Sequence, residues 1–591
     1  MKRLTLFLII GLLFGCTPIQ KNISTSNTTY SIMTPYEANN NTTATYFEAI
    51  TFYRQLAQRH EQLKVLPIGQ SDVGQPLHLV VLSKDKDFDP VSLRQKGKML
   101  LFINNAIHPG EPCGVDASMM LIRDYLTKTE LQPLLDKVVL AVIPFYNIGG
   151  GLNRNSTTRA NQNGPVAYGF RGNAQNLDLN RDFIKCDSKN AKAFNETFTA
   201  WQPHVFIDNH TSNGADYQYS MTLIPTQHNK LAKPIADYMN QKMLPHLFAE
   251  MKKVDWEMTP YVYARNTPDD GIAGFLDLPR YSSGYGALHN VISFMPETHM
   301  LKPYKNRVES TYHFMDIMIK WMNQDEANLK AAKSKTLEQA KSQKEFDINW
   351  TLDTEKVDSV QFKGYEAKYK KSEVSGLDRL YYDHSKPYTK FIPFFNTYKT
   401  TQSIVKPIAY IIPQSNHRVI DRLKWNKVEM KALTADTEIE VEIYYIEDYE
   451  SRKTPYEGHY LHSNVKVRKE TQTILYKKGD KVVYTNQAAN RFIIETLEPQ
   501  APDSYFAWNF FDGILQRKEY FSPYVFEDLA ADILKSNPQL KAELEKRKAE
   551  DEKFAKSAYA QLDFIYQRSP HSEITYKRYP VGRLVKNIDL N

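Results

Sequence analysis

Residues 99–126 constrain the fold more than any other stretch of the chain. Met99 to Ile107 is a short apolar run of strand length and strand composition. His108, Pro109, Gly110 and Glu111 follow, and the Pro-Gly pair breaks regular structure. Val115, Met119, Ile122 and Leu126 then recur at helical spacing. A strand therefore delivers His108 and Glu111 into a strand-to-helix loop. In open α/β sheets that is where ligands bind, outside the carboxyl ends of the strands. A His and a Glu three residues apart are common by chance, so the pair needs partners elsewhere in the chain.

The neighbouring sequence supplies the rest of a layered fold. Phe47, Ile50, Leu56 and Leu63 suggest an amphipathic helix, and two strands, Val65 to Gly69 and Leu77 to Leu82, flank a turn at Ser71–Gln75. Lys137 to Tyr146 reads as a buried strand, and 148–176 as a long Gly- and Asn-rich loop, a feature that is often functional. His204 to His210 is a strand ending in His, Leu223 to Phe248 has helical periodicity, Val291 to Met295 is a strand running into Pro296 and Glu297, and Tyr312 to Met322 is a helix. This alternation predicts an α/β fold over 45–323, a mixed, mostly parallel sheet covered by helices on both faces. Composition changes after Asn323. Residues 324–345 read as a polar helical connector, 346–500 as a β-rich accessory domain and 501–591 as an aromatic-rich and helical C-terminal region. Asn537 and Pro538 have the look of an N-cap and first helical position, and the helix beyond, with Leu540 and Leu544 among many charges, is expected to face solvent. A length of 591 residues fits two or three domains.

The first residues carry a different signal. Lys2 and Arg3 precede the apolar run Leu4 to Phe14, then Gly15 and Cys16. This has the charged and apolar parts of a secretory leader, and the apolar run is too short for a stable transmembrane helix. Leu13 to Cys16 resembles a bacterial lipobox, with a bulky Phe14 where a small residue is more usual. The expectation is a lipoprotein signal peptide over 1–15, a lipid on Cys16 that anchors the chain to a membrane of the bacterial cell envelope, and a flexible Asn-, Ser- and Thr-rich tether over 16–44. Cys113 and Cys186 would then be left either as a disulfide or as two buried thiols. The net charge of +7 is spread over the chain without a long basic run, which argues against nucleic-acid binding.

Three further pieces join His108 and Glu111. Asn176 to Arg181, with Leu179, Asn180 and Arg181 together, ends the long loop; Asp208, Asn209 and His210 end one strand; Pro296 and Glu297 end another. In this order the set resembles the zinc carboxypeptidases of the carboxypeptidase A type, over about residues 45–320. The resemblance implies one zinc ion per chain, with His108, Glu111 and His210 as ligands and one position left open for water. It implies that Glu297 is the general base that takes the proton of the attacking water and returns it to the leaving amine. Asn180 and Arg181 would hold the terminal carboxylate of a peptide substrate, a task that suits the planar guanidinium fork. Arg171 fits the family's oxyanion-stabilising Arg best and Arg159 is the runner-up, the other being a solvated loop residue. Tyr281 or Tyr285 would close over the substrate. Each ligand His needs an acceptor for its second nitrogen, and Asp208 and Asp116 are the nearest in sequence.

The function so implied is a zinc metallocarboxypeptidase acting on peptides or cell-wall stem peptides. The alternatives are a zinc amidohydrolase that deacylates small acyl-amino acids on the same fold, and a catalytically inactive binding lipoprotein. Asn180, Arg181 and the long accessory region lean toward peptides. No acidic residue lies between Tyr281 and Met295, which disfavours selection of Lys or Arg.

Overall fold

Four parallel strands bring their carboxyl ends to one edge of the protein, and the candidate site is built there. The computed structural model of the chain describes residues 32–264 and 266–588. In order across the main sheet the strands are Leu63–Gln70, Pro76–Leu82, Val138–Ile143, Met99–Asn104, Val205–Asp208, Ile292–His299, Met221–Pro225 and Met258–Pro260. Val138–Ile143, Met99–Asn104, Val205–Asp208 and Ile292–His299 run parallel; the strands outside them include antiparallel pairings, so the sheet is mixed. His210–Ser212 prolongs Val205–Asp208 and also pairs with Ile292–His299. Every residue of Met99–Asn104 and Val138–Ile143 is buried, as expected of strands covered on both faces.

Side-chain alternation sorts the covering helices. Phe102 and Phe206 meet Phe198 of helix Lys189–Trp201 edge-on, at centroid distances of 5.6 and 5.2 Å. On the opposite face, Phe294 meets Phe314 of helix Tyr304–Gln324. That helix also lies along Cys113–Thr127, the helix that follows His108 and Glu111. Cys113–Thr127 starts hard against the strand ends. A Cβ on Gly114 would come within 2.5 Å of Asn105 Oδ1 and Asn209 Cβ, so only glycine permits this approach.

Several expectations change on contact with the structure. Residues 34–44, read as part of a tether, are packed onto the main sheet's helices. Thr34 and Glu37 form a capping box on the short helix Pro35–Ala38, and Thr45 and Glu48 do the same for Tyr46–Arg59. Tyr36 is buried, and Asp116 accepts a hydrogen bond from the Ala44 amide at 3.1 Å. Thr34, which looked like linker composition, is a helix cap. Cys16 and the leader expectation lie outside the described residues. Leu223 sits in a strand, and the helical periodicity after it belongs to Lys233–Tyr238 and Leu244–Lys253. Glu297 lies inside a strand that runs on to His299. Cys113 and Cys186 are both free and buried. Among the described residues no helix is long and apolar enough to cross a membrane.

The described residues from Thr34 onward cluster as one compact unit. Strand Ile272–Ala273 pairs in parallel with the end of Asp378–Phe395, itself half of a long hairpin with Asp358–Lys371. A six-stranded sheet is dominated by a second hairpin, Thr437–Ser451 with His462–Tyr476, whose connecting segment reaches the candidate site. The helix Pro538–Glu550 is largely exposed, as expected, and its Leu540 and Leu544 are buried against Phe526, Phe554 and Phe564 in a lobe of C-terminal helices.

Candidate active site

His108, Glu111 and His210 converge at the carboxyl edge, all buried, with their ligand atoms within 4.8 Å of one another. The register explains the meeting. Asn104 lies opposite Asp208, and Glu297 opposite His210, so three neighbouring strands present their ends together. Each imidazole is oriented by a carboxylate on its far nitrogen. His210 Nε2 is 2.8 Å from Asp208 Oδ2, and Asp208 is itself held by Asn104 Nδ2 at 2.9 Å. His108 Nε2 is 2.9 Å from Asp178 Oδ1. Both Nδ1 atoms are thereby turned toward Glu111, at 3.2 Å in each case. His108 Nδ1 is buried, and its 3.2 Å contact with Glu111 Oε1 is an ion-pair contact that leaves it without a hydrogen bond among the described residues. An orphaned buried nitrogen, beside a second imidazole and a carboxylate, is the donor set of a catalytic zinc site. The residues present fit that ion.

Asp178 is the member that sequence reasoning missed. Asp116, offered as a possible acceptor, turns away to Tyr304 and the Ala44 amide. Asp178 was visible only as part of a Leu-Asp-Leu-Asn-Arg run, and its meeting with His108 is a long-range event. It also accepts from Arg171, Nε at 3.0 Å and Nη2 at 2.8 Å, and from the Asn180 amide at 2.9 Å. Burial works to raise the Asp178 carboxyl, but His108, Arg171 and Arg181 outweigh it and hold the group below the usual carboxylate range.

The charges around Glu111 and Glu297 differ in sign of effect. Burial would raise Glu111, but the charges of His108 and Arg159 keep it well below its ordinary value. Arg159 Nη2 is 2.7 Å from Glu111 Oε1, and the Thr211 amide donates to Oε2 at 2.8 Å. Glu297 keeps one face on the cavity, yet the surrounding protein desolvates it and pushes it up to about 8, against the pull of His210. His210 is desolvated too, which favours the neutral ring, but Asp208 overrides this and raises it well above its usual value.

A cavity of about 750 Å³ opens over these groups. It is lined by His108, Glu111, His210 and Glu297, by Arg159, Arg171, Asn180, Arg181 and Tyr281, and by the apolar faces of Phe170, Ile224, Phe275, Met295 and Met300. Both loop arginines line it, Arg159 largely covered and Arg171 the more exposed of the two. The loop is tied down by Arg159 on Glu111 and by the Arg171–Asp178 pair. Tyr285 does not reach the cavity. It is fully buried on the inner side of helix Ser282–Leu288, donates to Asn426 Oδ1 at 2.6 Å and packs on Phe183. Tyr281 stands at the cavity wall with the Arg181 guanidinium 4.4 Å from its ring centroid. Tyr261, not singled out from sequence, also lines the cavity.

The comparisons agree with this geometry. The zinc carboxypeptidase family model matches residues 49–346. The chain is 26% identical over 161 residues to carboxypeptidase 2 of Trichophyton rubrum, covering 27% of this chain and 27% of that protein. It thus spans about a quarter of the length of the curated relative it matches. Among solved structures, it is similar to a metallo-carboxypeptidase from Burkholderia cenocepacia, at 16% identity, 47% of this chain, 69% of that chain and a TM-score of 0.35. A carboxypeptidase A from Helicoverpa armigera gives 12% identity, 49% and 74% coverage and a TM-score of 0.36. With the family match extending over half the chain, and the site lying inside it, this protein belongs to the zinc carboxypeptidase family.

Proposed function

We propose that the protein removes single residues from the C-termini of peptides. The observation that carries this reading is one cavity holding both the His108–Glu111–His210 donor set and, on its wall, the Asn180–Arg181 pair. The first is where a peptide bond would be hydrolysed; the second suits the terminal carboxylate, since guanidinium and carboxylate pair through parallel hydrogen bonds. Zinc, when bound by His108, Glu111 and His210, supplies the Lewis acid of such a site and a positive charge that favours ionised carboxylates beside it.

The chain's own residues do the rest. Glu297 accepts the proton of the attacking water and hands it to the leaving amine, as a carboxylate adjoining the ligand His210 is placed to do. Arg171 stabilises the developing oxyanion. Its side chain is 44% exposed, against 13% for Arg159, which is committed to Glu111. Asp208 and Asp178 keep both imidazoles in the tautomer that turns Nδ1 inward. Ile224, Phe275, Met295 and Met300 supply the apolar part of an otherwise mostly polar wall, and among the described lining residues the carboxylates are Glu111 and Glu297 alone. Apolar or aromatic C-terminal side chains therefore fit and cationic ones do not.

The test is product analysis by mass spectrometry on matched peptides ending in Phe or Lys, each as free acid and as amide. Loss of one residue from the Phe acid, at least about tenfold slower loss from the Lys acid and only residual loss from the amides is expected, since differential burial of one side chain is worth about 1–3 kcal/mol. Internal cleavage, or equal rates on acid and amide, would exclude the reading.

A further inference from the structure

The Arg181 side of the cavity is completed from far outside the family-matched region. Strands Thr437–Ser451 and His462–Tyr476 are joined by a segment whose tip is a tight two-residue turn. Tyr456 N donates to His459 O at 2.7 Å and His459 N to Tyr456 O at 3.0 Å. The two central residues, Glu457 and Gly458, have φ of +51° and +83°. Such turns favour Asn or Gly at the first position, because a side chain is poorly tolerated in the left-handed region. A Glu there calls for a reason, and its carboxylate provides one. Glu457 Oε2 accepts the Asp178 backbone amide at 2.7 Å, the residue that orients His108 and binds Arg171. Its neighbour Tyr456 places a hydroxyl 3.0 Å from Arg181 Nε.

The turn is fixed in place by charges on both sides. His459 Nε2 is 2.7 Å from Asp187 Oδ2, and Asp187 also holds Lys185 and Arg422. The Tyr456 ring stacks on Trp508 at 6.1 Å, and the Arg280 guanidinium lies beside both rings, 5.6 and 5.2 Å from their centroids, paired with Asp503 at 2.9 Å. Arg181 is in turn bound on three sides: Nε by Tyr456, Nη1 by the Asn180 carbonyl at 2.8 Å, and its face by Tyr281. A guanidinium so held cannot swing, and a fixed fork loses less freedom when it meets a carboxylate.

We infer that the Tyr456–Glu457 turn is a positioning element of the substrate site: Tyr456 sets the plane of Arg181 for the substrate's terminal carboxylate, and Glu457 pins the loop that carries Asp178, Asn180 and Arg181. The C-terminal region thereby acts in substrate recognition. This rests on the reading of Arg181 as the carboxylate clamp.

The test compares wild type, Arg181→Ala, Tyr456→Phe, Glu457→Gly and the Arg181→Ala/Tyr456→Phe double variant as full-length, zinc-loaded proteins. The substrates are an N-acylated dipeptide with a free C-terminal Phe and its amide. Tyr456→Phe keeps the ring between its neighbours and removes only the hydroxyl. Gly at 457 suits the backbone and removes the whole side chain, the carboxylate included. The expected result for Tyr456→Phe is a loss of about tenfold or more in kcat/KM on the acid, carried mainly by KM, since a hydrogen bond to a charged group is lost. Residual cleavage of the amide, the zinc content and the melting temperature stay at wild-type values, and the double variant is no worse than Arg181→Ala alone. Glu457→Gly is expected to lose on the acid in the same direction. Affinity for N-acetylphenylalanine against its amide, by calorimetry, reads the same clamp without turnover. Wild-type behaviour of Tyr456→Phe and Glu457→Gly beside an impaired Arg181→Ala would overturn the inference alone. An equal loss on acid and amide for Tyr456→Phe would show packing only and overturn it as well. If Arg181→Ala itself treats acid and amide alike, the clamp reading falls and the inference falls with it.

Discussion

At the scale of single residues, the site is a chain of orientation that starts from carboxylates. Asp208 and Asp178 each take the far nitrogen of one ligand His, and this decides where the inward nitrogens point. Replacing Asp178 by Asn keeps the shape and removes the charge. Zinc affinity should fall about 10–100-fold, measured by competition with a chelator of known affinity. Unchanged affinity would mean that the His108 ring is held by packing alone. His108, Glu111, His210 and Glu297, which the structure brings to one cavity, each follow an apolar run in the sequence, and that local signal made them candidates. Their partners were less legible. Asp178 is seventy positions from His108, and nothing local marks it as the ring's acceptor. Tyr285 looked as eligible as Tyr281, and only the packing of helix Ser282–Leu288 separates the buried ring from the one at the cavity.

At the scale of elements, periodicity foretold the buried strands of the main sheet well, because continuous apolar runs of strand length leave few other options. It was weaker where polar residues do structural work. Thr34 reads as linker composition and is an N-cap; Leu540 and Leu544 form a narrow apolar stripe on a charged, largely exposed helix and are core. The helix Cys113–Thr127 depends on one glycine. A methyl at Gly114 would meet Asn105 and Asn209 at the ends of two strands, one residue before His210. Gly114→Ala should therefore destabilise the protein by about 1–3 kcal/mol, the usual effect of overpacking, as read from denaturant unfolding. A wild-type midpoint would show that the strand ends can give way to the helix.

At the scale of the whole molecule, catalytic and C-terminal regions are interlocked. Arg280 pairs with Asp503, Ile272 pairs with Phe394, and Glu457 holds Asp178, three ties that cross between regions of distinct composition. The composition shift after Asn323 was legible, but these ties were not, since each joins residues more than a hundred positions apart. Two-state behaviour over the whole unit follows if the ties carry enough free energy. Thermal unfolding followed by tryptophan fluorescence and by loss of zinc should then show coincident midpoints. A C-terminal transition well below the loss of zinc would show that the regions are independent. In the proposed mechanism the chemistry rests on Glu297, which adjoins the donor set without being needed to complete it. The measurement that reaches it most directly is turnover of Glu297→Gln on a free-acid peptide at matched zinc content. Loss of the basic carboxylate should lower kcat by at least about a hundredfold while zinc and peptide binding stay near wild type. Near-normal kcat, or loss of the metal, would contradict the assignment of Glu297 as the base.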